Sequence, residues 1–180
     1  MKKFNVIRRA AITIIAALTM SVAANAQEQG DFAVGANLSV GMGDDITNFG
    51  LGPKIQYNIL KPLRAEGSFT YFLPKDELSM WDASLNLHYL IPVKENLAVY
   101  PIVGVGLLGM KEKWEDEELY DEGLDDEGSG SESYSEAGCN LGGGIDLKLT
   151  DKLIFTGEVK YRIGNGWNRL ILSAGVTYRF

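Results

Sequence analysis

The sequence predicts an all-β fold, an eight-stranded antiparallel up-and-down transmembrane β-barrel, on three observations. Apolar and polar residues alternate with period two in segment after segment. The alternating segments are long, at roughly ten or more residues each, which is the length a strand needs to cross a bilayer at a tilt. Finally, the connections between them alternate between tight and long.

The first 26 residues stand apart from that pattern. Lys2, Lys3, Arg8 and Arg9 precede an apolar run from Ala10 to Met20, and Ala24-Asn25-Ala26 forms a small-x-small site before Gln27. This is the layout of a cleaved secretory signal peptide, and the apolar run falls short of the roughly 20 residues a spanning helix needs. The expected organisation is a signal peptide over 1–26 and one barrel domain over 27–180. Cys139 is the only cysteine, which excludes a disulfide within the chain and leaves no thiol near the cleavage site for a lipid anchor.

Strands are expected at about 31–43, 48–60, 63–73, 78–91, 97–111, 135–149, 152–164 and 168–180. In "LGPKIQYNI" Lys54, Gln56 and Asn58 share the polar side. "LRAEGSFTY" sets Leu63, Ala65, Gly67, Phe69 and Tyr71 against Arg64, Glu66, Ser68 and Thr70. "WDASLNLHYLI" sets Trp81, Ala83, Leu85, Leu87, Tyr89 and Ile91 against Asp82, Ser84, Asn86, His88 and Leu90. "LIFTGEVKYRI" and "LILSAGVTYRF" continue the alternation to Phe180. "DFAVGANLSVG", "LAVYPIVGVGLLG" and "EAGCNLGGGIDLKL" supply the remaining three. An even count suits a closed barrel.

After strands two, four and six the connections are the short "KP", "PVKEN" and "TD", and after the odd strands they include "DDIT", "PKDE", a stretch near 112–134 and "NGW". Transmembrane barrels show this asymmetry, with short turns on the periplasmic side and long loops outside. Three further features place the apolar face outward rather than around a ligand. The polar face is glycine-rich (Gly35, Gly41, Gly50, Gly52, Gly104, Gly106, Gly142, Gly144, Gly175), as a narrow lumen requires. Phe32, Tyr57, Tyr89, Phe155, Tyr178 and Phe180 gather toward the short-turn rim, and Phe49, Phe69, Tyr71, Trp81 and Tyr161 toward the other, as two interfacial girdles. The strands are also of bilayer-spanning length.

The signal peptide, the eight alternating segments, "GLGPKIQYNI", "PIVGVGLLG" and the terminal "YRF" together resemble the small outer-membrane β-barrel family of Gram-negative bacteria, the OmpX/OmpA-like, opacity-protein and porin-family group. The resemblance implies a chain exported to the outer membrane of a Gram-negative bacterium, embedded in its lipid as a monomer. It also implies that the barrel-assembly machinery recognises Phe180 as an assembly signal. The peptidoglycan-binding domain of two-domain relatives is not expected.

The expected lumen carries Lys54, Arg64, Glu66, Asp82, His88, Asp146, Lys148, Glu158, Lys160, Arg162 and Arg179. Buried charges must pair, and an eight-stranded interior is just wide enough for side chains to fill, so a salt-bridged plug is expected over a narrow pore for ions or small solutes. His88 is the only histidine. Asp82, Ser84 and His88 lie on one strand face at i, i+2 spacing, where they line up rather than converge as a catalytic triad must. His88 also falls near the periplasmic end, the wrong depth for a barrel enzyme that modifies outer-leaflet lipid. The expectation is therefore a non-enzymatic protein with no cofactor, serving envelope integrity, surface interaction or adhesion.

Charge is concentrated in one place. Without the four leader cations the chain holds 13 basic and 24 acidic side chains, a charge of −11, and residues 115–136 alone contain 11 carboxylates. Polyanions such as nucleic acid are thereby excluded as partners. Glu115, Asp116, Asp121, Asp125 and Asp126 are weak candidates for a divalent cation. The window from Asp121 to Glu132, however, has Gly123 where an EF-hand needs an acid and Asp126 where it needs glycine. A solvated acidic loop at the surface, open to an extracellular protein or a divalent cation, is the expected state.

Overall fold

Among the described residues nine strands form, all in antiparallel pairs: β1 (Phe32–Gly43), β2 (Ile46–Leu60), β3 (Leu63–Lys75), β4 (Leu78–Tyr89), β5 (Ile91–Lys94), β6 (Leu97–Lys113), β7 (Ser131–Lys148), β8 (Leu153–Gly164) and β9 (Arg169–Arg179). This computed structural model describes residues 29–43, 46–75, 78–113, 131–164, 166 and 168–180. The expected signal peptide and the candidate cation ligands Glu115, Asp116, Asp121, Asp125 and Asp126 lie outside the described residues.

The sheet closes on itself. Strands adjacent in sequence pair, except that β4 and β5 both pair with β6 and not with each other, and β1 pairs with β9 from Ala33↔Arg179 to Met42↔Leu170. Closure removes the sheet edges, which is what lets strands stand in lipid with their backbone groups bonded internally.

The barrel has the expected eight staves, and the ninth strand is a break in the fourth of them, with a local cause. Leu90 donates its N–H to the Pro62 carbonyl at 2.7 Å, one step further in the β3–β4 register, but Pro62 has no N–H to return the bond, and β4 stops at Tyr89. β5 then resumes against β6 without slipping. His88↔Ile102 and Ile91↔Val99 belong to one register, and the shift comes only after Pro92, which has no N–H to give. β4 and β5 are one stave with a break, and the barrel has eight staves. The residues "PVK", expected in a connection, are therefore in strand, and the turn shrinks to Glu95–Asn96.

Burial decides the orientation of the faces. Leu38, Leu51, Ile55, Leu85, Val103, Val105 and Val159 are exposed on the outside, whereas Lys54, Arg64, Glu66, Asn86, His88 and Arg162 are buried within. An apolar belt around a polar interior is the arrangement of a bilayer-spanning barrel. Aromatic rings mark both margins of the belt. Phe180 lies 6.0 Å from Phe32 and 5.4 Å from Tyr178 at the short-turn end, and Phe69 stacks on Trp81 at 6.0 Å at the other.

A second correction concerns the acidic segment. β7 begins at Ser131 rather than near 135, and its register with β6 runs from Lys113↔Ser131 to Leu97↔Leu147. Residues 131–134, expected in a loop, thus continue the hairpin. β8, by contrast, meets β7 only from Gly138↔Gly164 downward. Among the described residues, the strand ladder of 131–137 is with β6, the Gly166 N–H reaches Glu136 Oε1 at 2.7 Å from the other side, and the barrel is taller along this hairpin than at β8, β9 and β1.

Candidate functional site

Inward-pointing residues of successive strands meet across the lumen in layers. Nearest the short-turn rim, Arg64 donates from Nη1 to Asp146 Oδ2 at 2.5 Å and from Nε to His88 Nδ1 at 3.2 Å. Its guanidinium carbon sits 4.7 Å over the Tyr100 ring, and His88 stacks on that ring with centroids 4.7 Å apart. Tyr100 fits because Gly144 faces it: a Cβ there would come within 2.5 Å of the ring.

In the next layer the Lys54 ammonium donates to Thr156 Oγ1 at 2.6 Å and stands 3.7 Å from both Glu66 Oε2 and Glu158 Oε1. Gln56 donates to Glu66 at 2.8 Å, Tyr100 donates its hydroxyl to Glu158 at 3.0 Å, and Lys160 pairs with Glu158 at 3.6 Å. Above it, Arg162 pairs with Asp82 and donates to Ser84 at 2.7 Å and Asn140 at 3.0 Å. Ser84 donates in turn to Asp82 at 2.7 Å, and Asn140 donates to Asn86 at 3.0 Å. Gly106 makes room for the Arg162 guanidinium, which would lie 2.1 Å from a Cβ at that position.

The outermost layer is different in kind. Arg169 donates to Asn48 and to Met80 Sδ, and its guanidinium carbon lies 4.3 Å over the Phe72 ring. Leu108 and Ile171 are buried at this end of the lumen. The void beside them, of about 10 Å³, is lined by Gly43, Ile46, Met80, Leu108, Asn168 and Arg169 and has room for no more than one water.

The four acids Glu66, Asp82, Asp146 and Glu158 are thus matched by Lys54, Arg64, Lys160 and Arg162 across strands far apart in sequence. Nine of the eleven expected lumen charges are inside or beside this network, and the half-buried Lys148 and Arg179 are the other two. Two need comment. Lys148 sits at the rim end of β7, and Arg179 lies at the mouth, 3.3 Å from Asp31 and 2.6 Å from the Asp151 carbonyl oxygen, outside the internal network. Reasoning from sequence missed Arg169 and Tyr100. Arg169 has the same strand parity as Thr177 and Arg179, a usable signal, but it lies next to the "NGW" connection.

Two chemical possibilities can be tested on this geometry. Asp82 and Ser84 bond each other, while His88 is held by Arg64, so no serine–histidine–acid relay is assembled among them. Glu66, His88 and Glu158 bring ligand atoms within 4.8 Å of one another, a grouping that could hold a metal ion. A guanidinium can only donate, so Arg64 fixes His88 Nδ1 as the acceptor and leaves the ring proton on Nε2, which lies 3.9 Å from Glu66 Oε1. Nε2 then offers no lone pair to a metal, and the Lys54 ammonium already stands between the two carboxylates. These residues fit a structural role better than a metal centre.

The chain matches the outer membrane protein beta-barrel domain family over residues 11–180. Among solved structures it is similar to Ail, the attachment invasion locus protein of Yersinia pestis, with TM-score 0.58, 17% identity, and coverage of 84% of this chain and 99% of that one. It is similar to Neisserial surface protein A, with TM-score 0.59, 15% identity, and 83% and 96% coverage. OprG from Pseudomonas aeruginosa gives TM-score 0.57, 16% identity, and 86% and 97% coverage. At these identities the likeness concerns the fold. No curated protein sequence matches the chain.

Proposed function

Since the chain belongs to the outer membrane protein β-barrel family, we propose that it is a non-enzymatic barrel of the Gram-negative outer membrane whose work is done by its raised outer ledge, as an adhesive or interaction surface. The observation that carries this reading is the overhang of β7. Residues 131–137 stand above the last described β8 pairing, Gly138↔Gly164, and extend the β6–β7 ladder by about 20 Å at roughly 3.3 Å per residue, with no backbone ladder on the β8 side among the described residues. Exposed edges of this kind accept an extended segment from another protein.

Chemistry narrows the partner. Ail has been crystallised with the heparin analogue sucrose octasulfate, a polyanion. Here the ledge carries Glu132 and Glu136 and leads into residues 114–130, which hold nine more carboxylates and no basic residue. Like charge repels a polyanion, so the ledge suits a cationic extended segment of an extracellular protein. The lumen serves as an internal brace: its charges are paired across the barrel and its outer end is closed by Phe72, Met80, Leu108 and Arg169. Outer-membrane lipid, and the assembly machinery at Phe180, complete the partners of a monomer.

The test uses the full-length mature barrel in lipid nanodiscs. Lysine-rich extended peptides should bind it, and glutamate-rich peptides should not. Binding should vanish when the hairpin is shortened to the level of Ala137 with the barrel still folded. Equal binding by the shortened barrel would remove the ledge from the function. Planar-bilayer recording should show no unitary steps, and regular steps would favour the narrow-pore alternative.

A further inference from the structure

The short-turn rim has four corners, and a cation stands at each. Lys61 is in the turn joining β2 to β3, Lys94 precedes the Glu95–Asn96 turn, Lys152 ends the 149–152 turn, and Arg179 closes the seam between β9 and β1. Arg179 is committed to Asp31 and the Asp151 carbonyl. The three lysines are exposed and form no ion pair among the described residues. Lys152 lies over the outward-facing Tyr178, its ammonium 5.6 Å from the ring centroid, while Lys61 and Lys94 follow the outward-exposed Leu60 and Val93 in sequence at their own turns. Lys152 therefore lies at the outer margin of the aromatic belt, where headgroups meet the barrel, and Lys61 and Lys94 are exposed at the turns of the same rim.

We infer that this rim is a docking surface for anionic glycerophospholipids of the leaflet it faces, with Lys61, Lys94 and Lys152 each taking a headgroup phosphate. Three features favour that occupant. An unpaired ammonium directly above apolar and aromatic side chains matches a phosphate above acyl chains, since lysine buries its stem and keeps its charge at the interface. The lysines are distributed to separate corners, so each can meet a different lipid, whereas a single polyvalent ligand would call for a cluster. And the opposite end of the molecule is acidic, so the charge of the protein itself distinguishes its two ends.

Electron spin resonance of chain-labelled lipids tests the proposal on the refolded mature barrel in phosphatidylcholine bilayers. Labelled phosphatidylglycerol should be enriched over labelled phosphatidylcholine at the barrel surface by about three- to five-fold, the order expected for a lysine at a membrane surface. The enrichment should disappear in 1 M NaCl, where the screening length falls to about 3 Å. It should also disappear in the triple variant Lys61→Gln/Lys94→Gln/Lys152→Gln, whose folding is checked by heat-dependent gel migration. Should the triple variant not fold, each single variant should lower the enrichment. Absence of selectivity in the unaltered protein, or full selectivity in the variants, would overturn the inference.

Discussion

Arg64 holds both Asp146 and His88 with one guanidinium, at 2.5 Å and 3.2 Å, and so joins β3 to β7 across the lumen and to β4 beside it. All three side chains are buried. Asp146→Ala would leave the guanidinium buried without its counter-charge, at a cost of about 3 to 5 kcal/mol. The double variant Arg64→Met/Asp146→Leu, which removes both charges, should regain most of that loss. Urea unfolding of the barrel in lipid vesicles, followed by Trp fluorescence, measures both. A double variant as weak as the single one would show that packing, not charge, governs this layer.

Gly144 and Tyr100 form the second test of the lumen. A side chain at Gly144 collides with the Tyr100 ring, which is itself stacked on His88 and bonded to Glu158. Gly144→Val is expected to destabilise by about 1 to 3 kcal/mol through overpacking. Gly144→Val combined with Tyr100→Ala should be milder than the sum of the two alone.

Depth in the bilayer should appear in the lipid-facing residues. Leu172 lies beside Val40 and Val159 within the apolar belt, and Arg at that position should cost about 2 to 4 kcal/mol, against about 0 to 1 for Leu149→Arg at the rim. Folding yields into vesicles, titrated with urea, check the difference. Thr177 makes a poor lumen control although it points inward, because it is fully buried with its Cα and Oγ1 within 2.9 Å of where a Gly35 Cβ would stand.

The acidic connection should be dispensable for folding. Joining Lys113 to Ser131 by a short turn in place of 114–130 should preserve heat-dependent gel migration, since loop length enters closure entropy only logarithmically. In the intact protein, protease should cut within 114–130 equally with and without millimolar calcium. Protection by calcium but not magnesium would instead make this segment a specific cation site, by linkage between binding and stability.

The staves were legible because the two solvents of a membrane barrel write themselves on alternate residues. Lys54, Gln56 and Asn58, or Arg64 and Glu66, announce an interior that nothing but strand geometry could bring together. Legibility failed where the alternation is weak. In β6 both faces are largely apolar, so Tyr100, Ile102 and Leu108 carry no polar mark of the lumen they are buried in, and only their parity with Gly104 and Gly106 points inward. It failed again at the top of β7, where Ser131–Tyr134 shows no apolar alternation and is made strand by its pairing with β6. Which acid meets which base was beyond sequence as well, because pairs such as Arg64–Asp146 depend on register across several strands.

The seam between β1 and β9 sets the order of events in the life of the chain. Ala33 pairs with Arg179, Ser39 shares a hydrogen bond of 2.8 Å with Ser173, and the Phe180 N–H bonds the Phe32 carbonyl at 3.1 Å. The first strand to leave the ribosome therefore has no lasting partner on that side until the last has been made and exported. Contacts between segments so distant in sequence form slowly, and a nascent barrel spends that interval with two open strand edges and an apolar belt facing water. Biogenesis is thus all-or-none with respect to the C-terminal strand. A chain truncated before Arg169 would be a substrate for periplasmic holdases and proteases, while seven-eighths of its staves were ready and unable to close.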